Sequence, residues 1–253
     1  MPENIGMRIR ELREARGLSR DIFCEEELEL SIRQLTRIES GASLPSLSKI
    51  EFIAERLGVR VGELVDPLSL KLPERYQELK YLILRTPAYQ DKQRIGIRES
   101  YLEEISGFYD QIPEEEQIAV DCMQANLDVI ASQDGRFGDG LLEDYFEQVK
   151  AKDYYNENDL LVLSLYLNTI FISKLKSPIF SEKIYKDIRR KLLSFKDTVD
   201  GTNFYLVNKM MAKLFAIDMV LEDFDFLEDI LSASRQMMAE THDYETLPIL
   251  NLM

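Results

Sequence analysis

Apolar residues recur at three- and four-residue spacing along nearly the whole chain, and each run is cut after a few turns by serine, glycine or proline. This pattern constrains the fold more than any other feature. A period near 3.6 buries one stripe of a helix, and no stretch of period-two alternation supports a sheet. Ile5, Ile9, Leu12 and Ala15 mark a first helix, Ile5–Ala15, stopped by Gly17. Ser19 stands in N-cap position before a short helix over 20–25. Ser31 caps a third, Ile32–Glu39, whose inward face is Leu35 and Ile38 and whose end is marked by Ser40-Gly41. Pro45-Ser46 opens a fourth helix with Ile50, Ile53, Ala54 and Leu57 on one face, Gly58 ends it, and a fifth covers 61–65.

Five short helices in about sixty residues suit a helix-turn-helix domain, in which the second helix of the pair reads the major groove. Residues 1–66 form this domain, and residues 67–73, with Pro67 and Pro73, are the linker. A small helical bundle with no DNA role is the alternative from physics alone. From 74 to 253 the spacing predicts helices near 74–86, 93–111, 114–132, 138–152, 157–175, 179–195, 203–220, 223–240 and from 245 onward. The fold class is therefore all-α, an N-terminal five-helix unit followed by a solenoid of paired helices without a strict consensus repeat. The apolar ending PILNLM, where a solenoid normally closes on a polar cap, leads to the expectation that further C-terminal helices are missing or that a partner covers that end.

The net charge of −15 argues against nucleic acid at first sight, since DNA affinity rests on neutralising phosphates. Residues 1–66 carry ten Lys and Arg against thirteen Asp and Glu, a net of −3, which leaves −12 for the rest. Placement matters more than the sum. Arg8, Arg10, Arg13, Arg16, Arg20, Arg33 and Arg37 fall on the three helices, whereas Glu25, Glu26, Glu27 and Glu29 gather in one loop.

Arg33, Gln34 and Arg37 are expected on the exposed side of the reading helix, and Arg and Gln are types that pair with guanine and adenine edges. Ser31 and Ser19, at helix starts, are candidates for phosphate contacts, and equally for plain caps. Thr36 and Arg20 complete the DNA-binding set. Glu39 reads as structural, paired with Arg13 or Arg10.

Enzyme chemistry finds no foothold. There is no Gly-rich phosphate loop, no nucleophile elbow, and no histidine beside Cys24 or Cys122, which read as small core residues. No cofactor or metal is implied, since His242 is the single histidine. No signal peptide or apolar span is present, so the chain is expected in the cytoplasm. In the second domain Asn168, Asn203 and Asn208, with Tyr166 and Phe171, are candidates for gripping a peptide in a solenoid groove.

The stretch IGMRIRELREARGLSRDIF followed by LSIRQLTRIESGASLPSLSKIEFIAERLGV resembles the Xre-type helix-turn-helix family, with Arg20 where that family usually has glutamine. Together with LPERYQELKYLILRTPAYQDKQRI and IPEEE, it is similar to the ComR, Rgg and PlcR-like regulators grouped as RRNPP. The resemblance implies a tetratricopeptide-like sensor that binds a short signalling peptide. It also implies a homodimer that engages a palindromic promoter site on double-stranded DNA, and quorum sensing as the setting. It further implies an arginine of the reading helix held against acidic sensor residues in the silent state, with Arg33 matching the arginine and Glu114, Glu115 and Glu116 the acidic region. A helical interaction adaptor and a ligand-independent repressor are the alternatives.

Overall fold

The computed structural model describes residues 5–25, 27–65, 71–86 and 91–251, with the side chain of residue 249 left aside; Glu26 and most of the expected linker lie outside the described residues. All regular elements among them are helical, apart from one isolated bridge between Tyr155 and Val199. The chain divides into two compact units, 1–120 and 121–253.

The first unit opens with α1 (Ile5–Ala15), α2 (Arg20–Cys24), α3 (Ile32–Glu39), α4 (Leu47–Leu57) and α5 (Val61–Leu64). Each boundary has a local cause. The hydroxyls of Ser19, Ser31 and Ser46 accept hydrogen bonds from backbone N–H groups of the first turns of α2, α3 and α4. Gly58 closes α4 in the left-handed conformation that costs glycine nothing. Ile9, Phe23, Leu30, Leu35, Ile50 and Ile53 are fully buried at the centre. One expectation fails here: Ala15 is exposed, and the buried positions of α1 are Gly6, Ile9 and Arg13.

Gly6 is small for a reason. A Cβ built there meets the carbonyl oxygen of Ile38 at 1.9 Å, so α1 approaches the end of α3 more closely than any side chain permits. Arg13 is buried because Glu39 is buried opposite it: Nε lies 2.6 Å from Glu39 Oε1, and Arg20 closes the triad with Nη2 2.7 Å from Oε2. That bond holds the Arg13 guanidinium above its usual pKa range.

The same unit continues through α6 (Glu74–Arg85) and α7 (Lys92–Ser106), where Arg75 reaches Glu104 at 2.7 and 2.8 Å, to the opening turns of α8 (Glu114–Ser132).

The second unit holds the rest of α8, then α9 (Arg136–Ala151), α10 (Glu157–Ile172), α11 (Glu182–Leu193), α12 (Phe195–Thr198), α13 (Phe204–Leu221), α14 (Leu227–Thr241) and α15 (Leu247–Leu250). α10 is buried nearly all round because it packs against both α9 and α13. Gly138 lets α9 settle on Leu165 and Thr169 of α10. Within α11 and α13, the Tyr185 hydroxyl donates to Asp218 at 2.7 Å and Arg189 Nη1 lies 2.6 Å from the same oxygen, a buried polar cluster.

Candidate nucleic-acid interface

α3 presents two kinds of side chain. Arg33 and Thr36 are exposed and Arg37 is half-exposed, on the face one turn apart that the sequence assigns to DNA. Gln34 is different. It is 5% exposed, and its Oε1 accepts from the N–H of Ser31 at 3.1 Å while Ser31 Oγ accepts from the N–H of Gln34 at 3.2 Å. This reciprocal capping box turns the amide inward, so the expectation of an exposed Gln34 is corrected. Thr36 donates to the carbonyl of Ile32 at 2.8 Å. Ser19 Oγ accepts from the N–H of Ile22 at 3.3 Å, and Arg20 Nε donates to Glu39 at 2.9 Å. Both residues thus have structural partners within the unit. Glu39 pairs with Arg13, as expected, and with Arg20 as well.

The three consecutive carboxylates at the start of α8 each meet a cation from a different element of the first unit. Glu114 Oε1 lies 3.1 Å from Arg37 Nε, Glu115 Oε1 lies 3.2 Å from Lys49 Nζ, and Glu116 Oε2 lies 2.8 Å from Lys80 Nζ. Tyr76 donates to the same Glu116 oxygen at 2.7 Å. Glu114 is 7% exposed at its side chain. Carboxylates in a first helical turn also face the positive end of the helix dipole. The α3 arginine facing Glu114 at that distance is therefore Arg37, one turn beyond Arg33.

Sequence reasoning passed over Lys49, which donates to the Glu29 carbonyl and is nearly buried. The signal was present: a lysine four residues before Ile53 shares the apolar face of α4, where a cation needs a partner.

The five sensor residues differ in their surroundings, with Asn168 and Phe171 one turn apart on α10. Tyr166 is fully buried and stacked on Phe146, ring centres 4.3 Å apart, so it is core and not groove wall. Asn168 donates to Asn126 Oδ1 at 2.7 Å. Asn208 accepts from Ser234 at 2.6 Å and donates to Thr246 at 2.8 Å, facing α14 and the segment before α15. Asn203 ends a 3₁₀ turn before α13 without a side-chain cap bond. Phe171, half-buried, lies under Lys213. Cys24 and Cys122 are buried, and burial pushes the Cys24 thiol up to about 12, away from thiolate chemistry. No cluster of metal-ligating side chains occurs among the described residues, and none of their helices is long and apolar enough to cross a membrane.

Residues 73–253 match the ComR tetratricopeptide family, and residues 4–68 match a helix-turn-helix domain. The chain belongs to the ComR family. ComR from Streptococcus suis is 37% identical, covering 97% of this chain and 79% of its own, with a TM-score of 0.79. The apo competence regulator ComR from Streptococcus vestibularis is 28% identical over 98% of this chain and 82% of its own, with a TM-score of 0.82. ComR from S. thermophilus in complex with DNA and its signalling peptide ComS is also 28% identical, over 97% of this chain and 83% of its own, with a TM-score of 0.60. A comparison with curated protein sequences finds no match.

Proposed function

We propose that this chain is a cytoplasmic, sequence-specific transcription regulator whose grip on DNA is set by a short signalling peptide. Residues 1–66 are the DNA-binding domain, and residues 74–253 are the sensor and dimerisation domain. Two copies bind a palindromic promoter site, each inserting α3 into the major groove. Arg33 and Arg37 meet base edges there, while Ser31, Ser19 and Thr36 lie against phosphates. Gln34 supports this indirectly, by fixing the first turn of α3. No enzymatic step belongs to this reading.

The observation that carries it is the pairing of Arg37 with Glu114 and of Lys49 with Glu115. A cation that DNA needs is held by a carboxylate of the chain itself, which accounts for a DNA-binding protein of net charge −15. Peptide binding shifts the balance between masked and unmasked states by its preference for one of them. The relatives' ligands support the choice of peptide as effector, since S. thermophilus ComR is held in one structure with DNA and ComS.

The test is fluorescence anisotropy at near-physiological salt, on a duplex that the protein itself selects from a random-sequence pool, with and without peptides from a short-peptide library. A peptide that tightens binding of the wild type and leaves Arg33→Ala inert supports the reading. Tight binding indifferent to every peptide points to a ligand-independent repressor instead.

A further inference from the structure

Lys213 lies on α13, with its ammonium 4.5 Å from the centre of the Phe171 ring in the last turn of α10. The ring face attracts the cation but does not neutralise it. Among the described residues no carboxylate pairs with Lys213, in a chain that carries 46 Asp and Glu. Burial alone drives its pKa below the usual lysine range. A desolvated ammonium without a counter-ion weakens the fold that holds it, and a ligand carboxylate removes that penalty.

The surroundings add a second unmet group. Asn168 stands one turn before Phe171 on α10 and is 5% exposed. Its amide nitrogen is spent on Asn126 of α8, but its Oδ1 has no donor. Asn126 in turn donates to the Cys122 carbonyl at 3.0 Å, which turns its amide nitrogen toward its own helix. α10 thus carries a buried acceptor without a donor one turn before the ring that meets the Lys213 ammonium of α13, three groups that suit a peptide's end.

Resting on the peptide-receptor reading above, we propose that Lys213, Phe171 and Asn168 form the subsite for the free C-terminal carboxylate of the bound peptide. The carboxylate pairs with Lys213 Nζ, the terminal side chain packs on Phe171, and the last peptide N–H is accepted by Asn168 Oδ1. A side-chain carboxylate offers the same charge, and the experiment separates the two sources.

The full-length chain is used to select from random octapeptides lacking Asp and Glu, prepared both as free acids and as C-terminal amides, and the best sequence is titrated in both forms by calorimetry. The acid is expected to bind roughly ten- to a hundredfold more tightly than the amide, the range for one charge-assisted hydrogen bond. Lys213→Met should bring the acid down to the amide and leave the amide unchanged, and Lys213→Arg should keep most of the preference. Equal binding of acid and amide by the wild type, or a preference that survives Lys213→Met, overturns the subsite and leaves the receptor reading standing. An amide carrying one internal Glu that matches the acid's affinity overturns the terminal assignment. Selection of no peptide in either form overturns the receptor reading together with this inference. Circular dichroism of both variants distinguishes a lost contact from a lost fold.

Discussion

Arg37 of α3 and Glu114 of α8 form an ion pair at 3.1 Å, in which the carboxylate is nearly buried and the guanidinium is 38% exposed at its side chain. The geometry is one-sided: the carboxylate has lost its water, whereas the cation keeps part of its own. Removing the negative charge therefore releases Arg37 from its counter-ion.

Glu114→Gln should raise peptide-independent DNA affinity about fivefold, on the order of 1 kcal/mol for a pair whose cation is partly exposed, and Glu114→Gln with Glu115→Gln should raise it further. Anisotropy titrations without peptide measure this. Unchanged or weaker binding by the double variant would sink the masking role.

Glu39→Ala should destabilise the helix-turn-helix domain by about 3 kcal/mol or more, because it strands Arg13 in the interior without a counter-charge. Urea unfolding followed by circular dichroism reads the loss. Replacing Arg20 alone should cost much less, since that side chain is 35% exposed. Comparable losses in the two variants would contradict the assignment of Arg13 as the buried partner.

Gly6→Ala should cost about 2–3 kcal/mol, although alanine is the better helix former, because the added methyl collides with the backbone of Ile38. The measurement is the thermal midpoint. A rise in that midpoint would show that α1 and α3 do not approach as closely as described.

Lys213 gives a pH signature. Its folded-state pKa is lowered by burial, so between that value and the ordinary lysine value the unfolded chain binds the extra proton, and stability rises with pH through that window. Lys213→Met should be more stable than the wild type at neutral pH, with the gap closing as pH climbs toward the ordinary lysine range. A gap that stays constant with pH would show that Lys213 keeps an ordinary proton affinity.

Much of the fold was legible because its boundaries are local. α1 and α3 run over the residues their apolar spacing and caps predict, and Ser19, Ser31, Ser46 and Gly58 do what those residue types do at helix ends. The sensor helices were placed to within a few residues, with 3₁₀ turns at Tyr109–Gln111 and Phe224–Phe226 where the spacing had suggested unbroken helix. The site was less legible. Ser31 and Gln34 spell a capping box in sequence, yet Gln34 was read as a base-reading side chain, because helical spacing alone does not say whether an amide turns back to its own backbone. Tyr166 and Phe171 share α10, but that helix is enclosed along most of its length, and only the tertiary partners decide which ring is core. The choice between Arg33 and Arg37 opposite Glu114 depends on how α8 meets α3, which no local pattern encodes.

An arginine that leaves Glu114 for a phosphate exchanges one anion for another. Added salt weakens both contacts, so the release of counterions on DNA binding is partly offset by ions taken up where the carboxylate was left bare. A plot of log affinity against log salt for the intact chain would then be shallower than its phosphate contacts alone dictate. A contact count read from that slope would fall short by the number of carboxylates uncovered.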